Sequence, residues 1–104
     1  MIEIKKEDST IKISFQKPEF DIGDVKELEG IVTSLINQSY VKLIFDFQTV
    51  KFINSTTMGQ IAKLIQDAKN KNAKIFFNGE IDPFVYQLFS ISGLEEYLNN
   101  REDD

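Results

Sequence analysis

Hydroxyl side chains crowd one place in this chain. Ser55, Thr56 and Thr57 follow Asn54 in a row, shortly after an apolar run. A hydroxyl where a strand hands over to a helix has two uses. It can accept a hydrogen bond from the first free backbone N–H groups and so cap the helix. It can also carry a phosphoryl group, whose charge those N–H groups and the helix dipole favour. The plainer use is the cap, made by Ser55 or Thr56, since Ser and Thr are ordinary residues in that position. The remaining inventory removes most other chemistry. The 104 residues include no His and no Cys. Ser–His and Cys–His nucleophile pairs, disulfides and thiolate metal sites are therefore excluded, as is the usual general base near neutral pH. No Gly-rich phosphate-cradling motif is present. Carboxylates stand close together at Glu19 with Asp21 and at Glu95 with Glu96. A solvated acidic surface accounts for them, because nothing places them in an apolar pocket. The inventory points away from an enzyme and from a small-molecule ligand, calls for no cofactor or metal, and leaves a binding module.

Charge narrows the partners. The formal net charge is −5, whereas nucleic-acid binding needs a concentrated basic face. The one basic cluster, Lys69, Lys71 and Lys74, reads as a helix end complementing the macrodipole. No stretch approaches the roughly 18–20 apolar residues of a membrane span. The start, Met1-Ile2-Glu3-Ile4-Lys5-Lys6, has no signal-peptide core, so no membrane insertion and a cytoplasmic location are expected. Hydrophobic residues make up 41% and Phe alone contributes nine, enough for one core in one domain spanning 1–104 without metal or disulfide support.

The elements that must hold the hydroxyl row follow from hydrophobic periodicity. Residues 2–6 alternate apolar and polar, Asp8-Ser9 signals a turn, and Ile11, Ile13 and Phe15 alternate again. This predicts a β-hairpin with one wet face. Pro18 and Gly23 mark a loop. Asp24 then serves as a helix cap with Glu27 completing a capping box, followed by Val25, Leu28, Ile31, Val32, Leu35 and Ile36 at helical spacing. Residues 37–39 end that helix. Residues 40–47 read as a central strand. Residues 48–53 form an irregular bridge whose apolar side chains pack under the turn. A second helix starts at the hydroxyl row and buries Met58, Ile61, Ala62, Ile65 and Ala68, with Leu64 beside them. Residues 73–78 form another strand. Asp82-Pro83 opens a third helix with Phe84, Val85, Leu88 and Phe89 as its apolar face, and Ser92-Gly93 stops it. Leu94, Tyr97 and Leu98 make a short last element before a polar tail from about residue 99. The order β-β-α-β-α-β-α requires an α/β fold with parallel strand pairs and crossover helices, made mixed by the hairpin.

The chain also resembles the STAS domain of bacterial anti-sigma factor antagonists. Asn54-Ser55-Thr56-Thr57-Met58-Gly59 is similar to that family's central Asp-Ser-Ser/Thr-Gly-Leu-Gly. The strand Leu43-Ile44-Phe45-Asp46-Phe47, with Val50 and Phe52 after it, looks like the family's Asp-Leu-x-x-Val-x-Phe continuation. Glu19-Phe20-Asp21 looks like its Glu-Leu-Asp. Leu88-Phe89-Ser90-Ile91-Ser92-Gly93-Leu94 looks like its Leu-Phe-x-x-Ser/Thr-Gly-Leu. The resemblance implies a four- to five-stranded mixed sheet with helices packed mainly on one face, and a non-enzymatic role. It implies that the unphosphorylated domain binds an anti-sigma factor, often itself a serine kinase, and so frees a sigma factor. Phosphorylation of Ser55, with Thr56 as the fallback, would block that binding and a serine phosphatase would restore it. Partner contacts are implied for Asp21, Asn54, Ser55, Thr56, Thr57, Met58 and Gly59. Some members instead serve, without phosphorylation, as scaffolds or assembly subunits of larger signalling or transport complexes. Two residues depart from the pattern. Asn54 replaces an acidic residue beside the acceptor, and Thr57 places a branched side chain where Gly is usual, at a surface a partner would approach. The last strand and helix of the family look short or missing.

Overall fold

The computed structural model describes residues 2–38 and 42–99. The predicted strand start at Tyr40 and Val41, the helix end at Ser39 and the tail beyond Asn99 lie outside the described residues. The hairpin is present: β1 (Ile2–Glu7) pairs antiparallel with β2 (Thr10–Phe15). Asp8, the first of its two loop residues, sits at φ 55°. Positive φ at that position suits the right-handed twist of two strands joined by so short a loop. Then come α1 (Ile22–Asn37), β3 (Lys42–Asp46), α2 (Ser55–Asn70), β4 (Lys74–Asn78) and α3 (Pro83–Phe89), a kinked connection over Ser90–Leu94, and α4 (Glu95–Leu98). The sheet order is β1-β2-β3-β4, with β2, β3 and β4 mutually parallel. The mixed α/β sheet is therefore the one expected, with four strands among the described residues.

Strand alternation assigns the two faces. Ile11, Ile13 and Phe15 of β2, Leu43 and Phe45 of β3, and Ile75 and Phe77 of β4 lie on one face and join the core with the helices. The opposite face carries Lys12, Ser14, Lys42, Asp46 and Lys74 around Ile44 and Phe76. Helix burial follows the predicted stripes: Val25, Leu28, Val32 and Leu35 in α1, and Met58, Ile61, Leu64, Ile65 and Ala68 in α2. Ile31, Ile36 and Ala62 pack at the core margin. No helix among the described residues is long and apolar enough to cross a membrane.

The first and third helices differ in detail from the sequence reading. The first helix begins at Ile22, not after Gly23, and its cap is Asp21. The Asp24 N–H donates to Asp21 Oδ1 at 3.1 Å, and the Asp21 N–H donates to Asp24 Oδ2 at 2.9 Å. Asp24 thus takes the reciprocal place expected of Glu27, because a carboxylate three residues on closes the box as well as a longer one. Phe84 is not part of the buried face of α3: it is 47% exposed, while Val85 and Phe89 are buried. Only one stripe of so short a helix can face the core, and Val85 and Phe89, four apart, occupy it. α3 itself ends at Phe89, earlier than the Ser92-Gly93 stop expected, and the helical run beyond it breaks at Gly93, φ 84°.

Candidate functional site

The strand that leads to the hydroxyl row runs into an aromatic cluster. Phe47, directly after β3, is fully buried and touches Phe15 (4.5 Å between ring centroids), Phe89 (5.0 Å), Phe20 (5.8 Å) and Phe77 (6.0 Å). The edge-on and tilted arrangements are those in which aromatic pairs attract. The loop that follows turns tightly, with the Gln48 N–H donating to Asp46 Oδ1 at 2.9 Å and the Val50 N–H to the Phe47 carbonyl at 2.9 Å. Val50 and Ile53 are both fully buried, as the bridge reading required. Phe52 between them is not: it is 49% exposed. Its backbone is engaged by the segment before α1. The Phe52 N–H donates to the Pro18 carbonyl at 3.0 Å, and the Phe20 N–H to the Phe52 carbonyl at 3.1 Å. That parallel pairing turns Phe52 outward and Ile53 inward.

The cap of α2 is Asn54, not Ser55 or Thr56. Asn54 Oδ1 accepts the Thr57 N–H at 2.8 Å. Asn is as good a cap as Ser, and it comes one residue earlier. Ser55 is thereby displaced to the first helical position, where its side chain is exposed and takes no part in the cap; Thr56 is exposed beside it. Thr57 is 1% exposed and Met58 fully buried, so both side chains point into the core. The branched side chain at Thr57 is therefore an interior one, not an addition to a surface that a partner approaches. Gly59 is exposed, and a β-carbon built there meets open space.

Three helices start on the same rim of the sheet. α1, α2 and α3 each follow the carboxyl end of one of the parallel strands, and their caps are Asp21, Asn54 and Asp82. This is the end where open α/β sheets place their recognition features. Asp21 thus reaches the same rim as Ser55 through chain topology, although it lies far away in sequence. Lys17 binds Asp24 at 3.0 Å and Asp21 at 3.6 Å. The hydrogen bond from the Asp24 N–H holds the exposed Asp21 carboxyl below its ordinary value of 3.8. The bond to Asp24 raises Lys17 above its ordinary 10.5. Glu95 and Glu96 lie on a solvated surface, with Glu96 3.4 Å from Lys69 Nζ.

Sequence reasoning missed the apolar part of this rim. Phe52 and Phe84 stack on each other with centroids 6.0 Å apart and planes at 5°. A signal existed for Phe84, which forms with Leu88 a stripe one residue out of step with Val85 and Phe89. Gly79, at φ 79°, joins the β4 loop to the β3 loop: a β-carbon there would lie 2.7 Å from Gln48 Oε1. A hollow of about 270 Å³ opens elsewhere, along the sheet end, lined by Glu3, Lys5, Lys12, Ser14, Asp46 and Gln48 among others. Its lining lacks the apolar wall that small-molecule sites use.

Such an arrangement, a solid core with an exposed hydroxyl and exposed aromatics on one rim, defines a small α/β domain whose distinctive features are on its surface. The sequence profile of the STAS domain matches residues 1–103, and the chain belongs to that family. No curated protein sequence matches significantly. Among solved structures, it is similar to the Bacillus cell fate determinant SpoIIAA in its phosphorylated form, with 17% identity and a TM-score of 0.74 over 100% of this chain and 91% of that one. The anti-sigma factor antagonist SpoIIAA in its unphosphorylated form gives 18% identity and a TM-score of 0.78, over 100% and 88% of the two chains. The murine anion transporter Slc26a9 is similar over 88% of this chain and 15% of its own, with 19% identity and a TM-score of 0.67. At these identities the likeness is one of fold.

Proposed function

We propose that this STAS domain is a non-enzymatic binding module, switched by phosphorylation of Ser55. In the unphosphorylated state it binds an anti-sigma factor that is also a serine kinase, and so releases a sigma factor. A serine phosphatase reverses the modification. The observation that carries this reading is the position of Ser55: exposed, first in α2, and relieved of capping by Asn54. A phosphoryl group there gains about −1.5 to −2 charges and meets the positive end of the helix dipole, which stabilises it by about 0.3–1 kcal/mol. Asn54 adds no negative charge beside it. The exposed Phe52 is three residues away, at most about 11 Å along the chain, so an interface that covers the aromatic pair reaches the phosphate. Desolvating an ion costs several kcal/mol. An exposed cation of the partner returns about 1 kcal/mol or less, so the modification opposes binding. Asp21, Thr56 and Gly59 complete the contact surface, while Thr57 and Met58 hold the turn from beneath.

Mass spectrometry of the protein from its native host, with and without phosphatase inhibitor, tests the switch. Phosphate on Ser55 is the expected result, with Thr56 the alternative acceptor. Its absence from both residues under several stresses overturns the reading. A second reading, a scaffold or assembly subunit without phosphorylation, is favoured by one observation: the cap is the neutral Asn54 where the resemblance leads one to expect an acidic residue. A pull-down with Ser55→Asp separates the two, since a scaffold keeps its partner.

A further inference from the structure

Phe52 and Phe84 form a feature that phosphorylation of Ser55 does not require. Each keeps about half its surface exposed, 49% and 47%, although the rings stack on each other. Ile22, at the start of α1, is 44% exposed and follows the segment that pairs with Phe52. Single exposed apolar residues are ordinary, but a stacked exposed pair is a contact surface in waiting. The pair is also held in place. Phe52 is fixed through its backbone by Pro18 and Phe20, and the Phe84 N–H donates to Asp82 Oδ1 at 2.9 Å.

The charges around the rings are mainly negative. Glu19 is bridged to Phe52, Asp21 precedes Ile22, and Asp82 caps the helix that carries Phe84. Of the cations on this side, Lys17 is bound to Asp24 and Lys51 reaches the Gln48 carbonyl at 3.3 Å. Aromatic faces themselves attract cations.

We propose that Phe52 and Phe84 are the anchor of the partner interface, and that they receive a protein segment presenting an apolar side chain flanked by Lys or Arg. Glu19 and Asp82 select the flanking charges, Asp21 being already partnered by Lys17. A second copy of this chain fits poorly, because its net charge of −5 opposes association with an acidic rim. The proposal rests on the binding-module reading but not on modification of Ser55.

Two short synthetic peptides with the same Leu and Phe residues, one flanked by Lys and Arg and one by Glu, are titrated into the whole ¹⁵N-labelled chain. The cationic peptide is expected to shift the amide resonances of Ile22, Phe52 and Phe84 and to bind at least about tenfold more tightly than the acidic one. Phe84→Ser and, separately, Phe52→Ser are expected to weaken it by about tenfold or more, with thermal melts that still show a folded chain. Equal binding of the two peptides, shifts confined to the opposite sheet face, or peptide-independent self-association through these same residues would each overturn the proposal. Phosphate analysis of Ser55 reads a different quantity, so failure of either idea is distinguishable from failure of the other.

Discussion

Asn54 Oδ1 accepts the backbone N–H of Thr57 at 2.8 Å, and this single bond determines what Ser55 is free to do. Were Ser55 the cap, its hydroxyl would be engaged with the backbone. With Asn54 in that role, Ser55 faces solvent.

Replacing Asn54 with Ala is expected to lower stability by about 1 kcal/mol, within the range of about 0.5–2 kcal/mol for lost caps. Asn54→Asp keeps the cap and adds a charge that the helix start tolerates. Thermal denaturation of the two variants beside the parent checks this: Ala falls, Asp does not.

Ser55→Asp is expected to leave the melting temperature unchanged or slightly higher, because an anion in the first turn is favourable by about 0.3–1 kcal/mol. On the switch reading the same variant loses its partner by more than tenfold, since every 1.4 kcal/mol is about one decade. Melting and pull-down on one preparation separate the two effects.

Thr57→Gly makes the turn more like the STAS pattern and is expected to cost about 1–2 kcal/mol. The Thr57 side chain is 1% exposed, and glycine both removes that packing and loosens the helix. Denaturant unfolding measures it. A gain in stability would show that the buried side chain is strained.

Phe47→Ala is expected to be the most damaging of these changes, at about 3–5 kcal/mol. Domains of this size have about 5–15 kcal/mol in all. The near-ultraviolet circular dichroism signal should fall with it, since Phe47 touches Phe15, Phe20, Phe77 and Phe89.

Stability should depend on pH at both ends. The Asp21 carboxyl is lowered in the folded chain chiefly by the hydrogen bond from the Asp24 N–H. Its contribution is therefore present above 3.8 and is lost as pH falls through the folded value. Lys17 is raised by its bond to Asp24, so its contribution is present below 10.5 and is lost as pH rises beyond that. Melts across the pH range check both limits. In Asp21→Asn the acid limb should become shallower while the alkaline limb remains.

Much of this was legible in the sequence, for a physical reason. Alternation placed Ile11, Ile13 and Phe15 on one strand face, and helical spacing placed Val25, Leu28, Val32 and Leu35 on one stripe, because those periods are backbone geometry. The caps were harder. Asp21 and Asp24 are both able to cap, and only the conformation at Asp21 (ψ −178°) decides between them. Asn54 is hard to single out in the sequence, because the hydroxyl residues directly after it are able to make the same kind of bond. The outward turn of Phe52 lay beyond local sequence altogether, since it is dictated by pairing with residues 18–20.

The anchoring of the β3–α2 loop by its buried side chains also bears on how any partner is met. A loop held by buried Val50 and Ile53 and by backbone bonds to Phe47 and Pro18 has little ordering left to lose when a partner arrives, so association need not wait for a rearrangement. Variation at the rim should therefore change how long a complex lasts more than how fast it forms. On the switch reading, residence time is the quantity that modification of Ser55 would change.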